Sequence, residues 1–183
     1  MGHAFLALYR IEEGARVSRA ELGTHLGLGS GAVKSLISKL HDSRLLKTSK
    51  SGNALSEEGR EIVRRLRSAV PIVSAVPVRL ISTGRKNVAA VVRGVDAKKL
   101  KPVTIRDEAV RAGGSGATTL FFDGKSISVP EVYDDLARVS GFDARALSRL
   151  GLRKGDVIVV AGGDSLQAAS LACVTAVVGL FSN

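Results

Sequence analysis

The pattern of apolar and polar positions divides the chain into a helical first part and a second part rich in strands. In residues 1–70 apolar residues recur every three or four positions, as on the buried face of amphipathic helices. At Val70-Pro71 the proline stops a helix, and β-branched runs follow. The sequence therefore predicts two domains, 1–70 and 71–183, in the α+β class.

Two helices joined by a tight turn are predicted within the first domain. Ser18 and Glu21 have the spacing of a capping box, which starts a helix that runs to about Leu26. Gly27 allows a sharp turn because it adopts positive φ at little cost. The next helix, Ser30 to His41, has one apolar face, formed by Val33, Leu36, Ile37 and Leu40.

The opposite face of this second helix is small, hydroxylated and basic. Gly31, Lys34, Ser35 and Ser38 lie on it, with Lys39 at its edge. A helix in the DNA major groove needs short side chains for close approach and cations for phosphates. Two short strands follow, Leu45–Ser49 and Ala54–Ser56, joined by the polar turn Lys50-Ser51-Gly52-Asn53.

The run LGLGSGAVKSLISKLHDSRLLKTSKSGNALSEEG, within Glu21–Gly59, resembles the winged helix-turn-helix domain of prokaryotic transcriptional regulators. The resemblance implies a turn, a recognition helix, a wing and a following helix, and it implies binding to double-stranded DNA. Some winged helices serve only as protein–protein modules. Five cations, Lys34, Lys39, Arg44, Lys47 and Lys50, against the single acid Asp42 favour DNA. The expected DNA-binding residues are Ser30, Lys34, Ser35, Ser38, Lys39, Lys50, Ser51 and Asn53.

The second domain is predicted to be an α+β domain with a mixed sheet. Strands are expected at Ile72–Ser82 and Val88–Val92. A helix is expected at Pro130–Ser140, with its core-facing residues at Val132, Tyr133, Leu136 and Val139. The pattern RDEAVRAGGSGATTLFFDGK, with a later GDVIVVAGGD and an apolar terminal helix, resembles an uncharacterised domain found behind winged helices in some archaeal proteins. That resemblance implies no known activity.

A glycine-rich segment in this domain is a candidate ligand site. A predicted helix, Arg106–Ala112, ends in Gly113-Gly114-Ser115-Gly116, and a strand follows. Backbone amides and hydroxyls here can approach an anion, with two arginines nearby. The alternative is a glycine-rich helix end that leads into a hairpin, since nucleotide loops require strand, glycines and then helix. The candidate residues are Arg106, Arg111, Gly113, Gly114, Ser115, Gly116 and Thr118.

Composition narrows the class of partner. The 183 residues carry a net charge of +10, with pI near 10.3, which favours an anionic partner. The one cysteine, Cys173, excludes an internal disulfide and fits a reducing, cytoplasmic location. The apolar run Ala4–Leu8 is too short for a signal peptide. His3, His25 and His41 are scattered, so neither a metal nor another cofactor is expected.

The uncharged C-terminal run, Ser165–Asn183, predicts a buried helix, because its Ser, Gln, Thr and Ala residues make it too weakly hydrophobic for a membrane span. Such a helix is apolar nearly all round. One small sheet cannot readily cover it, so either other helices of the chain or a second subunit bury the remainder. We therefore expect a homodimer formed through the second domain, and no membrane partner.

These observations favour a DNA-binding transcriptional regulator whose second domain senses a small anionic effector, dimerises, or does both. The alternative is an enzyme of unknown reaction fused to a winged helix, in a layout resembling archaeal riboflavin kinase. Arg106-Asp107-Glu108 is the first place to look for such chemistry. No nucleotide loop or His- or Cys-centred catalytic set is visible, so an enzyme is not expected. A protein-interaction adaptor is the third hypothesis.

Overall fold

The computed structural model describes residues 1–181, apart from the side chain of Lys98. Within that range it contains eight α-helices and two antiparallel sheets. The chain forms two compact units: an N-terminal unit, Met1–Arg67, and a C-terminal unit that begins at Ser68. The α+β class predicted from the sequence is confirmed.

The N-terminal unit is mainly helical and contains one short hairpin. Three helices precede a two-stranded antiparallel hairpin, and a fourth helix follows it. The elements are α1 (Gly2–Gly14), α2 (Arg19–Leu26), α3 (Ser30–Asp42), β1 (Leu46–Ser49), β2 (Gly52–Leu55) and α4 (Glu57–Ala69). The hairpin turn is shorter than the sequence pattern predicts, because Gly52 and Asn53 already pair with β1.

The capping box at the start of α2 forms as predicted. The Ser18 hydroxyl accepts a hydrogen bond from the Glu21 amide at 3.1 Å, and the Glu21 carboxylate accepts one from the Ser18 amide at 2.9 Å. Hydrogen bonds that the Ser18 backbone amide and the Ser18 hydroxyl donate to the Glu21 carboxylate lower its pKa below the ordinary value of 4.5. Gly27 ends the helix in the left-handed region, with φ of 67°.

We expect Ser18→Ala to lower the free energy of unfolding by about 1 kcal/mol, the usual cost of losing such a cap. Because the pKa of Glu21 is lowered in the folded state, its carboxylate stabilises the fold above pH 4.5, and this stabilisation is lost as the pH falls through the lowered pKa. Urea unfolding at pH 7 and in acid should show Glu21→Gln less stable than the natural chain only at pH 7. An equal difference at both pH values would contradict this expectation. Ser30→Ala, which removes an exposed hydroxyl at the start of α3, is the control for Ser18→Ala.

The C-terminal unit is built on a five-stranded sheet of order β3-β4-β7-β5-β6. Its strands are β3 (Ile72–Ala75), β4 (Lys86–Val92), β5 (Gly116–Phe122), β6 (Ile127–Ser128) and β7 (Val157–Gly163). Every neighbouring pair is antiparallel, so the prediction of a mixed sheet is wrong. The reason is that β7, late in the chain, enters between β4 and β5 and runs opposite to both.

The first strand of this sheet is shorter than predicted. It ends at Ala75 instead of Ser82, two residues before Pro77. Proline has no amide hydrogen to donate to a ladder, and β3 lies at the edge of the sheet, where such an interruption is tolerated.

The helices of the C-terminal unit lie on the two faces of the sheet. They are α5 (Pro102–Arg111), α6 (Leu136–Val139), α7 (Gly141–Ser148) and α8 (Leu166–Gly179), with a 3₁₀ turn at Ala97–Lys99. On one face Leu120, Ile158 and Val160 pack with Leu136 and Leu147. On the other face α8 contacts β4, β7 and α5. Helices and strands of the same chain thus cover α8, and its apolar surface alone does not require a second subunit.

The helix predicted at Pro130–Ser140 is wrong over its first half. Val129 and Tyr133 pair backbone to backbone, and Glu131 between them has φ of 61°, which a helix cannot accommodate. The short α6 starts only after Asp135, whose carboxylate accepts a hydrogen bond from the Ala137 amide at 2.9 Å. Val132 and Val139, expected to face the core, are therefore exposed.

Cys173 is fully buried in α8, where its thiol donates a hydrogen bond to the Val159 carbonyl at 3.4 Å. Burial raises the pKa of the thiol to about 12. A thiol that stays protonated and inaccessible is a poor nucleophile, so Cys173 has a packing role.

Candidate functional site

A groove of about 640 Å³ lies between α3 and the β1–β2 hairpin of the N-terminal unit. It combines cationic and hydroxyl side chains from three segments that are separate in the sequence. The residues that line it are Ser18, Arg19, Lys34, Ile37, Ser38, His41, Thr48, Ser49, Lys50, Ser51, Gly52 and Asn53.

The helix α3 contributes one column of side chains to the groove. Lys34, Ser38 and His41 are spaced by four and three residues, so they lie above one another on one face. Ile37 is half-buried beside them, while Val33 and Leu40 are buried in the core. Burial of these two residues sets the rotation of α3 and thereby directs Lys34 and Ser38 outward.

The hairpin contributes the second wall, and hydrogen bonds hold its tip. The Arg16 guanidinium donates to the Ser49 hydroxyl at 3.2 Å and also to the Ser51 hydroxyl. The Ser49 and Ser51 hydroxyls are 2.8 Å apart. Lys50, between these serines, is exposed and has no ion-pair partner in the range that the structure describes.

Asn53, one of the predicted DNA-binding residues, makes structural hydrogen bonds beneath the hairpin. Its side chain is 3% exposed; its amide nitrogen donates to the Val17 carbonyl at 3.0 Å, and its amide oxygen accepts from the Thr48 hydroxyl at 3.0 Å. Its backbone also pairs with Val17 in an antiparallel bridge. Asn53 therefore anchors the hairpin to the segment before α2, and both ends of its side-chain amide are engaged within the protein.

The charge of the groove is positive. Arg19, Lys34 and Lys50 line it, and no carboxylate does among the residues that define it. The nearest acid on the helix is Asp42, at the end of α3. Its carboxylate is 3.5 Å from the Ser38 hydroxyl and 3.8 Å from His41 Nδ1. The groove thus has the charge and the hydrogen-bond donors that suit a polyanion.

Three of the predicted residues lie outside this groove. Ser30, Ser35 and Lys39 are exposed on α3 but do not line the cavity. Ser30 is the first residue of the helix, and Ser35 and Lys39 are turned progressively away from Lys34 towards solvent. The structure brings together Lys34, Ser38, Lys50 and Ser51, with Asn53 beneath them.

Sequence reasoning did not identify Arg16, Arg19 and His41. The position of His41, three residues after Ser38 and seven after Lys34, was sufficient to place it in the same column. Arg16 and Arg19 flank the capping serine, and only the pairing of Val17 with Asn53 brings that segment beside the hairpin.

Comparison with known proteins identifies the C-terminal part of the chain. Residues 83–180, more than half of the chain, match the family model described as "Domain of unknown function (DUF4443)". The chain belongs to this family. The DUF4443 region covers most of the C-terminal unit, which confirms that an uncharacterised domain follows the helical N-terminal part.

The fold as a whole is similar to a solved archaeal structure. The match is "Hypothetical protein PH0730 from Pyrococcus horikoshii OT3", with a TM-score of 0.81 and 23% sequence identity. It covers 98% of this chain and 92% of that chain. The likeness shows a shared fold across both units.

The glycine-rich segment of the DUF4443 region has a packing role in the structure. A Cβ at Gly114 would lie 2.5 Å from the Ala172 Cβ and 2.9 Å from the Gly162 carbonyl oxygen. The Ser115 amide donates to that same carbonyl at 2.8 Å, and the Thr118 hydroxyl donates to the Ile81 carbonyl at 3.3 Å. The glycines thus let the end of α5 meet the sheet and α8 closely. Gly113 and Gly116 have positive φ, of 88° and 148°.

The arginines predicted for that ligand site are engaged on the surface of α5. Arg111 forms an ion pair with Glu108 at 2.5 Å, and Arg106 lies 3.8 Å from Asp107. Both arginines are more than 60% exposed. The run Arg106-Asp107-Glu108 is therefore a solvated helix surface with local ion pairs, and it contains no enclosed carboxylate pair for acid–base chemistry.

The residues that the structure describes contain neither a metal-ligand cluster nor a membrane-spanning helix. Among them no three His, Cys, Asp or Glu side chains lie close enough to hold one metal ion. None of their helices has the length and the apolar character needed to cross a bilayer.

Proposed function

We propose that the protein is a sequence-specific DNA-binding transcriptional regulator that binds duplex DNA through the face around the α3–hairpin groove. The observation that supports this proposal is the groove itself: three cations and several hydroxyls, with no lining carboxylate, beside a helix whose outer residues are short. A helix of this kind fits the major groove, which admits one α-helix.

In this proposal the two walls have different tasks. Lys34, Ser35 and Ser38 meet base edges, while Lys39, Lys50 and Ser51 hold phosphates and fix the register. Arg19 joins the phosphate contacts, because it lines the same groove from the start of α2. Arg16 and Asn53 hold the β1–β2 hairpin in place: Arg16 donates to Ser51, and Asn53 donates to the Val17 carbonyl. Ser30, at the N-terminal end of α3, lies where recognition helices approach the bases.

The test is selection of bound sequences from random duplex DNA with the full chain, carried out at two salt concentrations. A single enriched motif whose affinity falls with salt is the expected result, since cations that neutralise phosphates release counterions. Uniform, weak enrichment at both salt concentrations would refute sequence-specific binding and favour an adaptor.

We expect Lys50→Ala to weaken binding to all duplexes alike and to reduce the slope of log affinity against log salt by about one unit. In this docking Lys50 lies at the tip of the β1–β2 hairpin, away from the base edges. It therefore contributes charge but no sequence discrimination. Fluorescence anisotropy of a preferred and an unrelated duplex over a salt series measures both effects. Lys47→Ala is the matched control, because Lys47 is an exposed lysine of the same hairpin that does not line the groove.

The C-terminal unit in this proposal senses a small anionic effector, dimerises, or does both. Pairing two chains about a two-fold axis would present two α3 helices to a palindromic site with half-sites one helical turn apart. Analytical ultracentrifugation of the full chain at micromolar concentration should then give twice the chain mass of 19.1 kDa. A monomeric mass together with a selected motif that lacks symmetry would contradict dimerisation and leave DNA binding standing.

A further inference from the structure

The C-terminal unit contains a cleft that none of the sequence motifs indicated. It has a volume of about 1010 Å³, at the upper end of the usual range for small-molecule sites. It lies where the 3₁₀ turn, the first turns of α5 and the end of α8 meet. The glycine-rich segment is at the other end of α5, so this cleft is a different location from the ligand site predicted from the sequence.

The cleft has an apolar floor and a cationic rim. Ile105 and Ala176, 2% and 1% exposed, form the floor, and Leu180 lines it from the end of α8. Lys99 and Lys101 line the rim and are exposed. An apolar floor favours a ligand with an apolar body, because burying that body removes it from water.

The charges around the rim favour an anion. Neither Lys99 nor Lys101 has a carboxylate within salt-bridge distance in the part of the chain that the structure describes. Two acidic residues also line the cleft: Glu108, whose carboxylate pairs with Arg111, and Asp96, which has a contact of its own. Lys99 and Lys101 are therefore cations at the cleft mouth without a carboxylate partner among the described residues, and they are available to an anion.

We propose that this cleft binds a small organic anion, with its apolar body against Ile105 and Ala176 and its carboxylate, sulfonate or phosphate group between Lys99 and Lys101. The site is the sensing site of the proposed regulator, and only that regulatory role rests on the proposed function. Binding itself is measured without DNA, so failure of this inference and failure of DNA binding are distinguishable.

Gly179 offers a way to fill the cleft without disturbing the fold. It lines the cleft as the last residue of α8, and a Cβ there would meet only the Glu108 Cγ, at 3.8 Å, an ordinary van der Waals distance. Its φ lies outside the left-handed region, so a side chain fits the backbone. Gly179→Leu therefore places an isobutyl group in the cavity, and replacing glycine favours the helix.

The experiment titrates the full-length protein with the fluorescent anion anilinonaphthalenesulfonate and with phenylnaphthylamine, which has the same rings without the sulfonate. We expect saturable binding of one sulfonate dye per chain, with weaker binding of the neutral dye. Lys99→Ala with Lys101→Ala should raise the dissociation constant of the sulfonate dye by about fivefold, the sum of two exposed charge contacts, and barely change that of the neutral dye. Gly179→Leu should abolish both.

Lys125→Ala with Lys154→Ala, two exposed lysines elsewhere in the unit, is the matched control and should leave both titrations unchanged. Three results would overturn the proposal: no saturable binding to the natural chain, equal binding to folded Gly179→Leu, or equal loss in the control pair. If Gly179→Leu does not fold, the Lys99→Ala, Lys101→Ala double variant still tests the proposal. The anion site is refuted if this variant binds the sulfonate dye as tightly as the natural chain does.

Discussion

Alanine at both Lys34 and Ser38 is expected to lower affinity for the preferred duplex by roughly tenfold to a hundredfold and to broaden the selected motif. The two side chains lie in one column on α3 and line the groove, so in the proposed docking both reach base edges. A good base contact contributes about 1–3 kcal/mol of discrimination, whereas an unrelated duplex loses only the charge contact of Lys34. The double variant should therefore bind the preferred duplex and the unrelated duplex with more similar affinities than the natural chain does.

Repeating the random-duplex selection with this double variant measures the effect directly, and anisotropy on two fixed duplexes gives its size. Lys39→Ala is the informative comparison, because Lys39 is on the same helix but outside the groove. It should weaken both duplexes and keep the motif. If the double variant retained the motif and the affinity, α3 would not be the helix that contacts the bases.

Gly162→Ala is expected to destabilise the C-terminal unit by about 3 kcal/mol, at the upper end for overpacking. A Cβ at this position would lie 2.5 Å from the Thr83 carbonyl carbon and 2.6 Å from the Thr83 hydroxyl. Gly84 is equally close to this strand, since its own Cβ would lie 2.5 Å from the Gly163 amide nitrogen. Backbone atoms cannot rotate away as a side chain does, so β7 or the Thr83–Gly84 loop must move.

For a unit of this size the melting temperature should fall by about 10–20 °C, as measured by differential scanning calorimetry. Gly179→Ala is the matched control, with the same chemical change in the same unit at an uncrowded position, and should leave the melting temperature unchanged or slightly raised. A melting temperature for Gly162→Ala within about 2 °C of that of the natural chain would show that the loop is free to move, and would contradict the close packing.

Much of the local structure was predictable because its causes are local. The capping box at Ser18, the turn at Gly27 and the apolar column of α3 depend on residues within one or two helical turns. The helix predicted after Pro130 was wrong although its causes are also local, because apolar spacing does not reveal a backbone bridge four residues long. Val129 pairs with Tyr133, and Asp135 then starts a new helix, so the apolar spacing of Val132 and Val139 did not correspond to burial.

The candidate groove could be predicted only in part. Lys34, Ser38, Lys50 and Ser51 were accessible to sequence reasoning because they belong to one helix and one turn. Arg16 and Arg19 were not, since their place beside the hairpin depends on the bridge between Val17 and Asn53. The same bridge buries Asn53, whereas the sequence pattern placed this residue in an exposed turn.

By itself the sequence determined the α+β class, the helical N-terminal part, the outward basic face of α3 and the excess positive charge, because each follows from spacing and composition. Only the tertiary structure decided the strand order β3-β4-β7-β5-β6, the burial of α8 within the chain, and the cleft at Lys99 and Lys101. These depend on contacts between residues far apart in the chain. Hydrophobic periodicity predicts which face of an element is buried, but it does not predict which distant element covers that face.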